Sequence, residues 1–150
     1  MDFILGCNYW ASNAGTEMWK NFDKKVIEKD IEILSKHGVQ YMRVFPNWRD
    51  FQPVIPLMSV SGNICGYCRE GGNTAEYDDY IDTVMMQRFA EFLDICEKYN
   101  IKLIVGLITG WMSGGLFIPP ALYGKDVLTD HIALYFQQLF IKGFVSEFKG

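Results

Sequence analysis

Three short stretches gather residue types that suit a neutral, hydroxyl-rich ligand: Asn8, Tyr9 and Trp10; Arg43, Phe45, Asn47 and Trp48; and Thr109, Trp111 and Ser113. A sugar ring offers C–H faces that stack on flat aromatics and hydroxyls that need amide, guanidinium or hydroxyl partners. Asn8, Trp10, Asn47, Trp48 and Trp111 are therefore candidate carbohydrate-binding residues. The alternative for the three tryptophans is that they plug the end of the sheet that carries them. Arg43 is the most informative single residue, because it interrupts the apolar run Tyr-Met-Arg-Val-Phe and cannot lose its charge. Buried there, it would need a carboxylate or several acceptors. It is read as a cation facing an acidic partner in the site, with a structural salt bridge to a neighbouring strand as the alternative.

Other groups that could do chemistry are sparser. Cys65 and Cys68 in NICGYCRE stand two residues apart, a spacing shared by redox dithiols, half zinc sites and ordinary loops. A redox pair wants its first cysteine at a helix N-terminus directly after a strand, whereas REGGNT follows here. A structural zinc site wants four ligands, and Cys7 and Cys96 belong to a strand and to a helix face. Glu17, Asp50, Glu70 and Glu76 are the carboxylates in segments that follow strands, and each reads most simply as a solvated loop charge. His37 falls at a helix C-terminus, where the dipole favours a cation, and His131 falls in the first turn of another helix. No metal site and no cofactor is expected.

Composition narrows the setting. The 150 residues are 49% hydrophobic and 21% charged, with a net charge of −4 and basic residues scattered along the chain. That argues against nucleic acid, which calls for a basic stripe. No apolar run approaches the roughly 18 to 20 residues that span a bilayer. MDFILGCNYW lacks the basic start of a secretory leader, and four irregularly spaced cysteines fit reduced thiols in a cytoplasmic protein. A leader removed ahead of this numbering would instead imply secretion.

The elements that must position these residues follow from periodicity. Phe3 to Cys7, Tyr41 to Phe45 and Lys102 to Leu107 read as strands, the last as one buried on both faces of a parallel sheet. Asp23 caps a helix whose apolar positions Val26, Ile27, Ile31 and Leu34 share one face, and Gly38 closes it. Ile81 to about Asn100 reads as a second helix, and Thr129 or Asp130 starts a third that runs to about Lys149. Pro46 to about Asp78 and Ile108 to Leu128 read as long loops, which in compact domains are usually functional. Strand, helix, strand, helix, strand, helix implies a parallel α/β fold with right-handed crossovers. All the long loops then lie at the carboxyl ends of the strands, where ligands bind in such folds.

The stretch from Gly6 to Pro53 resembles the opening of a retaining glycoside hydrolase of the large (β/α)8 clan that includes cellulases and mannanases. The likeness is carried by G-x-N-Y-W at residues 6–10, Asp-Ile-x-x-Leu at 30–34, G-V-x-Y-x-R-V-F at 38–45 and Asn47-Trp48. IKLIVGLITGWMSG is similar to that clan's third strand and its loop, and the likeness covers the chain except the cysteine segment. Family 5 and its mannanase and mannosidase relatives are nearest. The resemblance implies a single, incomplete domain over residues 1–150, made of the first three units of a TIM barrel and ending before its fourth strand. It implies that Arg43 orients a nucleophilic glutamate and that Asn8, Trp10, Trp48 and Trp111 line sugar subsites.

In that clan the two catalytic glutamates follow the fourth and seventh strands, the first usually preceded by asparagine. No Asn-Glu pair occurs in the 150 residues, and a complete barrel needs about 250. The clan's histidine near the end of the third strand is replaced by the neighbourhood of Thr109 and Trp111. The expectation is a glycosidase segment that is inactive by itself and needs the remaining units or self-association to cover its sheet edges. A non-catalytic carbohydrate-binding or assembly module, and a thiol or zinc protein using Cys65 and Cys68, are the competing readings.

Overall fold

The computed structural model describes residues 3–72 and 80–149. In chain order the elements are β1 (Gly6–Asn8), α1 (Lys24–Lys36), β2 (Tyr41–Val44), α2 (Trp48–Phe51), β3 (Val54–Met58), β4 (Ile64–Arg69), α3 (Thr83–Lys98), β5 (Lys102–Val105), β6 (Trp111–Met112), β7 (Gly115–Leu116), a 3-10 turn (Pro120–Leu122) and α4 (His131–Phe148). The expected parallel βαβαβα frame is present as β1, α1, β2, α3, β5 and α4. Its strands pair in parallel in the order β1-β2-β5.

Local chemistry explains the boundaries. Asp23 accepts from the N–H groups of Lys25 and Val26 at 3.0 and 3.2 Å, satisfying two of the donors that a helix start leaves open. Gly38, at φ +83°, lets the chain leave α1 in a left-handed turn that a side chain would resist. Asp130 caps α4 by accepting from Ile132 and Ala133 at 2.9 and 3.1 Å. Asn100 takes the left-handed position after α3 at φ +54°.

The chain divides into two compact units. The first comprises residues 1–46 and 87–106 and holds the parallel sheet. Asn8, Arg43 and Ile104 are register partners across its three strands. Met42 and Val44 face a core of Ile27 and Ile31 from α1 and Phe89, Phe92 and Ile95 from α3. Trp19 is fully buried among them, its ring 5.5 Å from Phe89 and 5.6 Å from Phe92. The opposite face is open: Asn8, Arg43, Lys102 and Ile104 are exposed. The third parallel strand is thus not buried on both sides as its apolar run suggests. A period of two sends Leu103 and Val105 inward and leaves Ile104 out.

The second unit comprises residues 47–86 and 107–150. The segment expected to be a long loop after Pro46 is largely structured, with α2 followed by the antiparallel hairpin β3–β4. Pro56 is accommodated because a two-stranded ribbon leaves each strand one side where no donor is needed. The second expected loop also folds, as the β6–β7 hairpin and the 3-10 turn. The core is aromatic: Phe51 lies 6.4 Å from Phe140 and 6.1 Å from Phe144, and Tyr67 meets Phe136 edge-on at 5.2 Å.

Candidate functional site

In the first unit, the carboxyl ends of β1 and β2 bring together Asn8, Trp10 and Arg43. Asn8 and Arg43 pair directly across the strands and share a cleft of about 360 Å³ with Gly6, Tyr41 and Ile104 on the open face. Arg43 is exposed, not buried, and among the described residues it makes no ion pair. The expected acidic partner is therefore not among them, and the guanidinium instead lies 4.9 Å over the Phe45 ring. On the same ring Trp10 stacks, with centroids 5.5 Å apart and planes 24° apart. Cation and indole thus meet on one aromatic plane at the mouth of the strands.

The loop carrying Trp10 is tied down by α1. Asp30 accepts from the Ser12 N–H at 2.8 Å, from the Ser12 hydroxyl at 2.8 Å and from the Tyr9 hydroxyl at 3.2 Å. Burial, and then the negative Asp30 beside it, push the Tyr9 phenol above its ordinary pKa, so Tyr9 stays a neutral donor. A second cleft of about 290 Å³ runs beside this lock, lined by Asn8, Trp10, Ser12, Asp30 and Ile33.

In the second unit the sequence expectations divide. Asn47 and Trp48 are fully buried. The Trp48 indole N–H donates to Gln52 Oε1 at 2.7 Å, and Asn47 Nδ2 donates to Asp50 Oδ2 at 3.1 Å. Both therefore pack the unit and present no stacking surface, which corrects their assignment as sugar contacts. Asp50 is likewise no solvated loop charge: it is 4% exposed and accepts from Arg49 Nε at 3.1 Å. Trp111, by contrast, stands 70% exposed on β6. Its hairpin is braced by Arg49, whose N–H donates to Phe117 O at 2.8 Å and whose guanidinium lies 5.0 Å over the Phe117 ring.

The remaining candidates carry less. Cys65 and Cys68 lie on β4 rather than in mid-loop, both as free thiols. Cys65 occupies the bulge where the register slips between Leu57 and Met58. Among the described residues no three His, Cys, Asp or Glu side chains cluster as a metal site would require. Burial pushes the Cys96 thiol up to about 12, far from a reactive thiolate. His37 closes α1 with Nδ1 2.8 Å from Ile33 O, and His131 opens α4 on the surface. Glu17 is half-buried and Glu70 exposed, while Glu76 lies outside the described residues.

Two contributors escaped the sequence reading: Asp30 and Ser12. The Asp-Ile-x-x-Leu motif already contained Asp30, but nothing in the spacing shows a helix carboxylate reaching back to residue 12.

No protein-family model matches the sequence, and no curated protein matches it. Solved structures do match the architecture. An exo-β-1,4-mannosidase, Op5Man5, from Opitutaceae bacterium strain TAV5 aligns with a TM-score of 0.78 at 24% identity, over 99% of this chain. A GH5_18 variant from Bifidobacterium longum subsp. longum, in complex with Manβ1-4GlcNAc, aligns with a TM-score of 0.76 at 20% identity over 99%. The fold is that of the family 5 glycoside hydrolases. A GH5_18 variant from Streptomyces cattleya, with the same disaccharide, gives 0.74 at 21% identity over 97%. The chain spans 22% of the mannosidase and 30% of each of the other two. It corresponds to the opening units of that (β/α)8 barrel, as its motifs imply, and at these identities the likeness concerns the fold.

Proposed function

We propose that this chain forms the first three β/α units of a retaining glycoside hydrolase acting on β-linked mannosides or glucosides. The observation that supports this most is the pairing of Arg43 and Asn8 at the open carboxyl end of the parallel strands, with Trp10 stacked beside them on Phe45. Carboxyl ends are where barrels of this kind place their chemistry. Arg43 offers a planar, permanently charged fork that suits a carboxylate. A nucleophilic glutamate held there would stay ionised, because a neighbouring cation favours the charged form. Asn8 can donate to and accept from sugar hydroxyls, and the indoles of Trp10 and Trp111 offer faces for C–H stacking.

The reaction would proceed through two carboxylates about 5 to 5.5 Å apart, one as nucleophile and one as acid/base. Under this reading both come from later β/α units of the whole protein. The β-mannoside option draws on the neighbouring structures, of which one is an exo-β-1,4-mannosidase and two are in complex with Manβ1-4GlcNAc.

Calorimetric titration of the chain with Manβ1-4GlcNAc and with short β-glucans tests the proposal. Binding is expected, and Trp10→Ala or Trp111→Ala should weaken it about tenfold, on the scale of a lost stacking contact. Absence of binding across the panel would sink the reading.

A further inference from the structure

We infer that Phe45 is a positioning residue whose ring fixes the Trp10 plane and the Arg43 guanidinium together, and that it can do so only because residue 106 has no side chain. The inference rests on the saccharide site proposed above.

Phe45 follows β2 directly and is 6% exposed. Its backbone is pinned by the buried Trp19, whose indole N–H donates to Phe45 O at 2.7 Å. On the neighbouring strand end, the Gly106 N–H donates to Val44 O at 2.9 Å, which brings residue 106 alongside the ring. A Cβ at Gly106 would stand 2.7 Å from Phe45 Cδ1 and 2.9 Å from Cε1, well inside contact distance. The ring therefore lies against bare backbone on that side. Trp10 stacks on it at 5.5 Å, and the Arg43 guanidinium lies 4.9 Å over it.

This arrangement answers a physical need. An exposed arginine is long and rich in rotamers, and without a partner its head samples many positions. The negative face of an aromatic ring holds it by cation–π attraction. The same plane orients the indole, so one side chain sets both the stacking surface and the cation. Arg43, Phe45 and Trp10 then act as one unit, with Gly106 as the clearance behind it.

The test uses the full 150-residue chain with its four tryptophans replaced by 5-fluorotryptophan. Trp10→Phe assigns the Trp10 fluorine resonance. Phe45→Leu keeps apolar bulk but removes the ring face, Phe45→Tyr keeps the ring, and Gly106→Ala crowds it. In Phe45→Leu and Gly106→Ala the Trp10 resonance should move and affinity for Manβ1-4GlcNAc should fall about three- to tenfold, the worth of one aromatic pair. Phe45→Tyr should restore both. If Gly106→Ala does not fold, Phe45→Leu carries the test. A Trp10 resonance unmoved by Phe45→Leu overturns the inference, as does a moved resonance with unchanged affinity. If the unsubstituted chain binds no saccharide, the site reading fails, and the fluorine shifts alone decide whether Phe45 fixes Trp10.

Discussion

Trp10 and Trp48 each follow a parallel strand by a few residues, yet they end in opposite states. In the first unit Trp10 lays one face on Phe45 and stays partly exposed at the strand ends. In the second, Trp48 is wholly enclosed, with its N–H spent on Gln52 four residues along the chain. Position in the topology does not separate the two. What does is the local supply of partners: α2 offers Trp48 an internal acceptor one turn away, whereas the loop after β1 is tethered at Ser12 and leaves the indole at the rim. A polar tip that finds its partner inside lets the whole ring go inside.

Breaking the enclosed side should have the largest effect. Trp48→Ala is expected to cost about 3 to 5 kcal/mol, the range for emptying a buried large aromatic site. Urea unfolding would show this as a lowered midpoint. Its counterpart Trp111→Ala should change stability by no more than about 0.5 kcal/mol, since the ring is mostly in solvent. Equal losses in the two variants would erase the distinction between packing and displayed tryptophans.

Next in size is the tether. Asp30→Ala removes the acceptor of three hydrogen bonds and is expected to cost about 2 kcal/mol, as for hydrogen bonds to a charged group. It should also loosen the Trp10 loop, so limited proteolysis is expected to cut near residues 12–15 in the variant. An intact loop together with unchanged stability would show that α1 does not hold it.

The smallest expected effect concerns acid and the second unit. The N–H of Ala133 and the side chain of Lys125 hold the Asp130 carboxyl below the usual carboxylate range, and the N–H of Leu128 and the Thr129 side chain do the same for Asp126. Both groups are depressed in the folded state. Their contribution is therefore complete above the ordinary carboxylate pKa and fades as pH falls through the lower folded values. Protection factors at Ile132 and Ala133 should fall in that acid window relative to those at the start of α1. Protection that stays flat into strong acid would remove Asp130 as the stabilising cap.

Much of the frame was legible in the sequence. Asp23, Gly38 and Asp130 mark helix ends by chemistry that acts within three or four residues. The three parallel strands stand out as apolar runs between helical periods. The β3–β4 hairpin did not, because Gly66 and Pro56 dilute its strand character, although the Ser-Gly-Asn turn at 61–63 between VIPLM and ICGYC was a usable signal. Arg43 was expected to be buried and is exposed. An apolar run shows that some neighbours face a core, but the period-two alternation decides which, and the odd positions of Tyr-Met-Arg-Val face outward. Asp50 escaped for the converse reason. Its partners Asn47 and Arg49 lie within three residues of it, yet only the turn of α2 brings both onto one carboxylate.

Gly106 carries a consequence for how this chain can change over generations. Most surface positions drift freely, because a new side chain finds water to occupy. At residue 106 every coding change adds at least one carbon, and the first carbon already meets Phe45. Accommodating it means displacing the Phe45 ring or shrinking residue 45, and either disturbs the seat of Trp10 and Arg43. Two positions just past different strands are thereby coupled: any side chain at 106 must displace the Phe45 ring, so a lineage that keeps the stack keeps the glycine.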